Sequence, residues 1–133
     1  MKMNPVVHFE IPATDKNRIS NFYSTVFGWK TNMMGPDMNE YVVVSTTETD
    51  PSHNRPLLPG AINGGFYIKT DDPISQHPSV VIAVDNLNES IEKVKAAGGQ
   101  IHGEPYDIPG VGMYVSVIDT EGNHVSMLQP ETK

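Results

Sequence analysis

The chain repeats one pattern, a strand that leads into a helix, in each of its two halves. In the first half, residues 6–13 lead into a helical segment that stops at Gly28, and in the second half, residues 79–84 lead into one that stops at Gly98. The two helical segments agree in length to within one residue. Such a repeat restricts the fold far more than composition does, because each copy must bury its apolar face in the same way.

Length and composition set the scale of this repeat. The chain has 133 residues and no cysteine, a length typical of one domain with a substantial core. We therefore expect a single domain over residues 1–133, built from one module over 1–70 and another over 71–133. The lack of cysteine excludes a disulfide framework, a thiolate zinc site and a cysteine nucleophile.

The charge balance restricts the partners. Sixteen acidic against nine basic residues give a formal net charge of −7, and no basic cluster is present, whereas nucleic acids and anionic membranes require a basic surface. No apolar run approaches the ~18 residues of a membrane span, and residues 1–5 lead into a strand instead of a signal peptide. The sequence therefore predicts a cytoplasmic protein that binds neither nucleic acid nor membrane.

Both helices carry an apolar stripe and have suitable residues at their ends. Thr14 or Asp15 is suited to begin the first helix, and Gly28 is suited to end it. Asn86 and Gly98 have the same roles in the second helix. The stripes predict that one face of each helix packs on a sheet. The expected inward residues are Ile19, Phe22, Tyr23, Val26 and Phe27 in the first helix, and Leu87, Ile91, Val94 and Ala97 in the second.

Three strands are predicted after each helix, so each module is expected to run strand, helix and three strands. A polar segment bounded by prolines, residues 70–78, connects the modules. The loop 46–60 is too long for a simple hairpin turn and is either a lid or a mobile excursion. The segment 107–112 is expected to turn tightly, with a positive φ at Gly110 or Gly112. The predicted strands are 29–35, 39–46, 61–69, 100–106, 112–119 and 123–129.

Short motifs follow one another in a fixed order across nearly the whole chain. They are His8-Phe9-Glu10-Ile11-Pro12, Asp15, Arg18, Phe22-Tyr23 and Phe27-Gly28-Trp29 in the first half, and Val84-Asp85-Asn86-Leu87, Ala96-Ala97-Gly98-Gly99, residues 107–112 and residues 119–123 in the second. Together they resemble the vicinal oxygen chelate superfamily, which contains glyoxalase I, bleomycin-resistance proteins and extradiol dioxygenases, and in the second half its glyoxalase-like branch. The resemblance implies an α+β fold of two βαβββ modules whose curved mixed sheets enclose a cavity.

The resemblance also implies where a metal would bind. In metalloenzymes of this superfamily, each module supplies one ligand from its first strand and one from its last. By position these ligands fall on His8, Ser79 and Ser126, with Gly64 or Gly65 as the fourth. Only His8 is a usual metal ligand, and a catalytic metal takes about three protein ligands. We therefore expect the inherited metal site to be lost, with no cofactor.

Strand alternation suggests which side chains line the cavity. It places His8 and Glu10 on one face of the first strand, and His124 and Ser126 on one face of the last. These four are candidates for one cavity wall, together with Tyr114. Two histidines and one carboxylate in this set also leave a rearranged metal site conceivable. The predicted ligand-binding residues are Tyr114, His124, Ser126 and Ser79.

His8 and Glu10 are the candidate catalytic residues. His8 either binds the ligand or is a half-buried histidine that is hydrogen-bonded across the sheet. A buried Glu10 requires water, a base or a ligand, and burial would raise its pKa towards that of a general base which abstracts a proton next to a carbonyl. The alternative is an ion pair of Glu10 with Arg18 or Arg55 at the surface.

The sequence thus predicts a glyoxalase-like protein with a cavity for a small organic molecule. Two functional classes stay open. One is an enzyme that performs metal-independent acid–base chemistry with His8 and Glu10. The other is a protein that sequesters its ligand without turnover, as bleomycin-resistance proteins do. The resemblance further implies a homodimer, since cavities in this superfamily often lie between subunits.

Overall fold

The computed structural model describes residues 2–52 and 55–131, which divide into two compact units. The first unit comprises residues 8–78, and the second comprises residues 79–131 together with residues 2–7. The predicted loop 46–60 falls in the first unit, and its residues 53 and 54 lie outside the described residues. None of the helices in the described part of the chain has the length and hydropathy needed to cross a membrane.

The first unit runs strand, helix, two strands, a short two-stranded insertion and a final strand. Its elements are β1 (Val6–Ala13, of which the first two residues belong to the second unit), α1 (Lys16–Phe27), β2 (Lys30–Met33), a 3₁₀ turn (Pro36–Met38), β3 (Val42–Ser45), β4 (Thr49–Asp50), β5 (Arg55–Pro56), β6 (Asn63–Ile68) and a second 3₁₀ turn (Pro73–Gln76). β1 pairs in parallel with β6, and β6 pairs antiparallel with β3, which pairs with β2. The three predicted strands are confirmed, whereas the predicted loop 46–60 contains the antiparallel pair of β4 and β5.

The second unit repeats this order without the insertion. Its elements are β7 (Ser79–Ala83), α2 (Leu87–Ala96), β8 (Gln100–Ile108), β9 (Gly112–Ile118) and β10 (His124–Pro130). β7 pairs in parallel with β10, and β10, β9 and β8 follow as antiparallel neighbours. The strand order β7-β10-β9-β8 thus corresponds to β1-β6-β3-β2. This correspondence confirms the predicted α+β fold of two βαβββ modules.

The ends of both helices and the turn at 107–112 form as their residues dictate. Asp15 accepts hydrogen bonds from two backbone N–H groups of the first turn of α1, at 2.9 and 3.0 Å, and Gly28 ends the helix with φ 73°. Asn86 accepts from the backbone N–H of Glu89 at 3.0 Å at the start of α2. Between β8 and β9, Gly110 has φ 77°. These are the stabilising roles that such residues have at helix ends and tight turns.

Helix α1 buries a different face from the one its apolar spacing predicts. Ile19 and Tyr23 pack against a buried cluster of Val42, Val44 and Phe66, joined by Phe9, Ile11 and Trp29. Ser20 is also buried, so the buried face is rotated towards it. The prediction that Phe22, Val26 and Phe27 point inward is wrong, because this rotation and the position of Phe27 in the last turn leave them 53, 54 and 59% exposed.

Helix α2 follows its prediction more closely. Leu87 is buried, and Ile91 and Val94 pack on the cluster around it, which contains Val84, Val115, Val117 and Met127. Ala97 was expected to point inward but is exposed. The reason is local, since Ala97 lies beyond the last helical residue and caps the helix. In both modules, then, one face of the strands is covered by the helix, and the candidate site residues lie on the other face, together with apolar residues such as Val81.

Candidate functional site

His8 and Glu10 lie on the face of β1 that points away from α1. Their neighbours Phe9 and Ile11 pack into the α1 core, and alternation turns His8 and Glu10 to the opposite side. In the parallel pairing with β6, His8 lies opposite Asn63 and Glu10 lies opposite Gly65. The sequence prediction that these two side chains share a face is therefore confirmed.

Gly65 makes room on this face for Tyr41. A Cβ atom at position 65 would overlap the phenol oxygen and the adjoining ring carbons of Tyr41, so only glycine permits the ring to lie across β6. Gly65 pairs with Glu10 on one side and with Val43 on the other. The ring of Tyr41, two residues before Val43, can therefore reach β1. Glycine inside a strand commonly marks such a close approach.

The phenol of Tyr41 joins His8 and Glu10 into one hydrogen-bonded chain. The Nε2 atom of His8 lies 3.0 Å from the Tyr41 hydroxyl, and this hydroxyl donates to Oε2 of Glu10 at 3.2 Å. An ionised carboxylate only accepts hydrogen bonds, so the hydroxyl's own proton points to Glu10. Its oxygen must then accept from an Nε2–H group, which assigns the Nε2–H tautomer to His8.

Burial keeps the imidazole of His8 neutral in this hydrogen-bonded series. Burial lowers the pKa of His8 from 6.5 to about 4, because a buried imidazolium loses hydration. Burial, followed by the charge of Glu10, raises the pKa of Tyr67 on the neighbouring strand. At neutral pH the arrangement is thus a neutral imidazole, a phenol and a carboxylate in series. Such a series can accept a proton at one end while donating hydrogen bonds along its length.

Asn63 ties the segment that follows β3 to the same region. It is buried, its Oδ1 accepts from the backbone N–H of Thr46 at 2.9 Å, and its Nδ2 donates to Thr49 Oγ1 at 3.0 Å. Because Asn63 lies opposite His8 in the β1–β6 pairing, this side chain fixes the start of the 46–60 segment next to the His8 strand. Sequence reasoning missed this role.

The second module carries its own polar cluster on the face of its strands away from α2. The hydroxyl of Tyr114 lies 2.7 Å from Oγ of Ser126, and Nε2 of His124 lies 3.4 Å from the same Oγ. Ser126 is fully buried. Val81 pairs with Ser126 in the parallel β7–β10 pairing, so two residues earlier Ser79 lies beside His124 on the same face. We call Ser79, Tyr114, His124 and Ser126 the hydroxyl cluster.

The two polar groups occupy corresponding positions in their modules. Glu10 pairs with Gly65, which pairs with Val43; Val81 pairs with Ser126, which pairs with Ser116. Since β1, β6 and β3 correspond to β7, β10 and β9, and Glu10 and Val81 each lie two residues after the matching positions His8 and Ser79, position 65 corresponds to Ser126. Val43 then corresponds to Ser116. Tyr41 lies two residues before Val43 and Tyr114 two residues before Ser116, so the two tyrosines also correspond.

The residues present do not fit the metal of the resembled metalloenzymes. Within residues 2–52 and 55–131, no group of three or more histidine, aspartate and glutamate side chains is placed to hold a metal ion. In the first module, the Tyr41 ring takes the space into which a side chain at position 65 would project. In the second, Ser79 and Ser126 offer neutral hydroxyls, which are poor ligands for divalent transition metals.

The structure thus brings the predicted site residues together in two groups. His8 and Glu10 meet in the first unit through Tyr41, which sequence reasoning did not select for this role, and Tyr114, His124 and Ser126 meet in the second. The hypothesis that residues of both groups line one cavity wall stays a prediction. A pocket of about 350 Å³ in the first unit, lined by Gly28, Lys30 and residues 45–49, contains none of these residues.

Comparisons with known proteins agree with this architecture. The family model described as bleomycin resistance protein-like N-terminal matches residues 6–47. A glyoxylase-like domain-containing protein of Didymella fabae is 33% identical over 120 residues, which cover 86% of this chain and 84% of that protein. The CFP32 proteins of two Mycobacterium species are 40% identical over 57 residues, and this match spans only 22% of their length and 43% of this chain.

Solved structures share the fold at low sequence identity. A glyoxalase/bleomycin resistance protein/dioxygenase superfamily member from Vibrio splendidus has a TM-score of 0.59 at 16% identity, with 96% of this chain and 99% of that chain covered. The methylmalonyl-CoA epimerase of Streptomyces coelicolor has a TM-score of 0.68 at 11% identity, with 98 and 100% covered. At such identities the likeness concerns the fold alone. Taken with the Didymella fabae relative, which matches over most of both chains, the repeat and the matched N-terminal model, these findings show that the chain belongs to the glyoxylase-like proteins of the glyoxalase/bleomycin resistance protein/dioxygenase superfamily, the vicinal oxygen chelate superfamily.

Proposed function

We propose that the first module holds a metal-independent acid–base site that moves a proton at a carbon next to a carbonyl group of a small organic molecule. The observation that carries this proposal is the chain from His8 through Tyr41 to Glu10, with links of 3.0 and 3.2 Å. It places a carboxylate, the usual base for such a proton, beside a phenol that can stabilise the resulting oxyanion.

The proton transfer follows from the order of the groups. The carboxylate of Glu10 takes the proton, the C–H electron pair moves into the carbonyl, and an enolate oxygen results. Once protonated, Glu10 is a weaker acceptor, so the Tyr41 hydroxyl is released to donate to the enolate oxygen. His8, kept neutral by its pKa of about 4, donates to Tyr41 throughout and strengthens the phenol as a donor. Return of the proton from Glu10 to carbon yields an epimer or an isomer.

The comparisons support a carbonyl compound as substrate without specifying it. The Didymella fabae relative is a glyoxylase-like domain-containing protein, and a structural neighbour is a methylmalonyl-CoA epimerase. A methylmalonyl thioester carries an acidic C–H group next to a carbonyl, which is the type of proton that the Glu10 carboxylate would remove. We therefore choose 2-oxo acids and a methylmalonyl thioester as the first compounds to test.

The experiment is proton exchange in deuterium oxide. We expect the protein to accelerate replacement of the carbon-bound proton by deuterium, followed by proton NMR. Glu10→Gln and Tyr41→Phe should each lower the rate by about a hundredfold. Tyr23→Phe, the same chemical change in the core on the other face of the strands, should leave it unchanged. Equal exchange rates for Tyr41→Phe and Tyr23→Phe would contradict the proposed role of the hydrogen-bonded series His8–Tyr41–Glu10.

The second candidate function is sequestration of a ligand without turnover. The match of residues 6–47 to the bleomycin resistance protein-like N-terminal model favours it, because that segment includes His8, Glu10 and Tyr41. The same exchange experiment separates the two functions. Saturable binding of a compound, detected by amide NMR shifts, without any deuterium incorporation would establish sequestration and refute catalysis.

Independence from metal is tested on the purified protein. We expect added Zn²⁺, Mn²⁺ or Ni²⁺ to leave the melting temperature unchanged and EDTA to leave proton exchange unchanged. A metal held by the native state would instead raise the stability by about 2.7 kcal/mol at a hundredfold excess over its dissociation constant. One bound metal per chain in elemental analysis, with activity lost to EDTA, would refute this part of the proposal.

A further inference from the structure

We infer that the ion pair between Lys16 and Glu40 positions Tyr41 and thereby sets the rate of proton transfer at the site. Neither side chain carries out a step of the proposed transfer, so both are positioning residues that act through Tyr41. The inference rests on the proposed function only in its kinetic part. Its structural part concerns the hydrogen bond between Tyr41 and His8, which can be tested whether or not the protein is an enzyme.

Tyr41 is the last residue of the loop that connects β2 to β3, and its backbone is hydrogen-bonded on both sides. Its carbonyl accepts from the N–H group of Met34 at 2.8 Å, and its N–H group donates to the carbonyl of Met38 at 3.1 Å. The N–H group of Glu40 donates to the carbonyl of Gly35 at 3.2 Å. The conformation of this loop therefore fixes the direction in which the Tyr41 side chain leaves the backbone.

The loop contains two consecutive residues in the left-handed region. Asn39 has φ 54° and Glu40 has φ 60°, and within residues 2–52 and 55–131 these are the two non-glycine residues with a positive φ. Asparagine adopts this conformation readily, whereas glutamate does so rarely. An unfavourable conformation of this kind persists only where surrounding contacts hold it. Glu40 therefore needs a contact that keeps its backbone in place directly before Tyr41.

Lys16 provides that contact. Its Nζ atom bonds to Oε2 of Glu40, and the two side chains are 27 and 41% exposed. Lys16 is the first residue of α1, a helix whose first turn is capped by Asp15 and whose Ile19 packs on the core. The ion pair thus joins a strained loop to a fixed helix end. The partial positive charge at a helix N-terminus also favours a carboxylate there.

Loss of the ion pair would displace Tyr41 more than it would destabilise the protein. A partly exposed ion pair contributes little to global stability, and relaxation of Glu40 to an ordinary φ would offset part of the loss. The Tyr41 hydroxyl, however, lies at the far end of a long side chain that crosses Gly65, so a small backbone rotation at position 40 moves it strongly. Its links to His8 and Glu10, at 3.0 and 3.2 Å, depend on that backbone.

The first measurement is the tautomer of His8 in the ¹⁵N-labelled protein, read from ¹H–¹⁵N correlations of the imidazole and assigned with His8→Gln. The unmodified protein should have Nε2–H as the major form, because this group donates to Tyr41. Glu40→Gln removes the charge but keeps the side-chain size, and should produce a mixture of the Nε2–H and Nδ1–H tautomers. Lys16→Met should do the same, whereas Lys16→Arg, which keeps the charge, should retain Nε2–H.

The second measurement is the rate of proton exchange in deuterium oxide. Glu40→Gln and Lys16→Met should each lower this rate by about tenfold, less than Tyr41→Phe does, because the phenol is displaced but not removed. Glu92→Gln is the matched control, since Glu92 pairs with Lys95 on α2 of the second unit, with Oε2 and Nζ 3.6 Å apart. It should change neither the rate nor the tautomer. All melting temperatures should change by less than about 4 °C.

The outcomes separate this inference from the proposed function. If no compound undergoes exchange but Glu40→Gln changes the His8 tautomer, the proposed function fails and the positioning role stands. The positioning role is overturned if Nε2–H is not the major form in the unmodified protein, or if Glu40→Gln leaves the tautomer or, where exchange occurs, the exchange rate unchanged. An equal effect of Glu92→Gln, or of Lys16→Arg and Lys16→Met, would also overturn it.

Discussion

The two modules place a tyrosine at the same register position and surround it with different chemistry. In the first module, Tyr41 lies across Gly65 and bonds to His8 and Glu10. In the second, Tyr114 bonds to Ser126, which fills the position that corresponds to Gly65. The first arrangement contains a carboxylate and can take up a proton, whereas the second consists of hydroxyls and an imidazole.

This difference shows how little change a repeated scaffold needs to acquire a second chemistry. Without a side chain at position 65, the first tyrosine reaches the parallel strand β1 and its carboxylate. With a serine at position 126, the second tyrosine is held by β10. The hydroxymethyl group at this position is therefore the difference between the two modules. Where it is absent, at Gly65, Tyr41 crosses β6 and reaches β1. Where it is present, at Ser126, Tyr114 bonds to β10 itself.

The largest expected effect tests the two corresponding positions directly. Gly65→Ala should destabilise the protein by roughly 3 kcal/mol, because the new methyl group displaces the Tyr41 ring and breaks its hydrogen bonds. Ser126→Ala, which adds no volume, should cost only about 1–2 kcal/mol. Urea unfolding measures both. In a Tyr41→Ala background, Gly65→Ala should cost little, and an undiminished cost there would show that Tyr41 is not the group displaced.

The second effect concerns acid sensitivity of the first module. The pKa of His8 is lowered from 6.5 to about 4 in the folded protein, so the unfolded chain binds this proton first as the pH falls. Stability from this group is therefore present above pH 6.5 and is lost between pH 6.5 and 4, by about 2 kcal/mol between pH 7 and pH 5. Urea unfolding of the protein and of His8→Gln at both pH values isolates this contribution. If His8→Gln keeps the full pH dependence, other groups cause it.

A smaller effect distinguishes the two tyrosines. Tyr41→Phe removes a hydroxyl that bonds to both His8 and Glu10, and a carboxylate loses a donor, so we expect a cost of about 2 kcal/mol. Tyr114→Phe removes a neutral bond to Ser126 and should cost about 1 kcal/mol. Glu10→Gln should reduce the difference between the two substitutions. Equal costs in both modules would mean that the carboxylate adds nothing to the Tyr41 interaction.

The smallest effect concerns the helices. Phe22→Ser on α1 should change the stability by less than about 0.5 kcal/mol, because Phe22 is 53% exposed and few of its contacts are buried. Ile91→Ser on α2 should cost several times more, since Ile91 packs on the core. Thermal unfolding of both variants measures this contrast. A large loss of stability for Phe22→Ser would instead support the sequence prediction that Phe22 points into the core.

Local features could be predicted from the sequence because their causes lie within a few residues. Asp15 and Asn86 begin their helices and Gly28 ends the first, as their chemistry dictates. Alternation along β1 correctly placed His8 and Glu10 on one face. The role of Tyr41 could not be predicted, because it depends on contact with strands far away in sequence. The one available signal was Gly65, a glycine within a predicted strand, which indicates a close approach but not the residue that makes it.

The sequence by itself determined the repeated module, the ends of its helices and the alternation that separates core from polar face, because short-range hydrogen bonding and hydrophobic periodicity specify these features. Only the tertiary structure decided which face of α1 is buried and which side chains meet on the polar faces. Those outcomes depend on strand register and on packing between distant segments, where one missing side chain at position 65 allows Tyr41 to join His8 and Glu10, while Ser126 keeps Tyr114 in a different network.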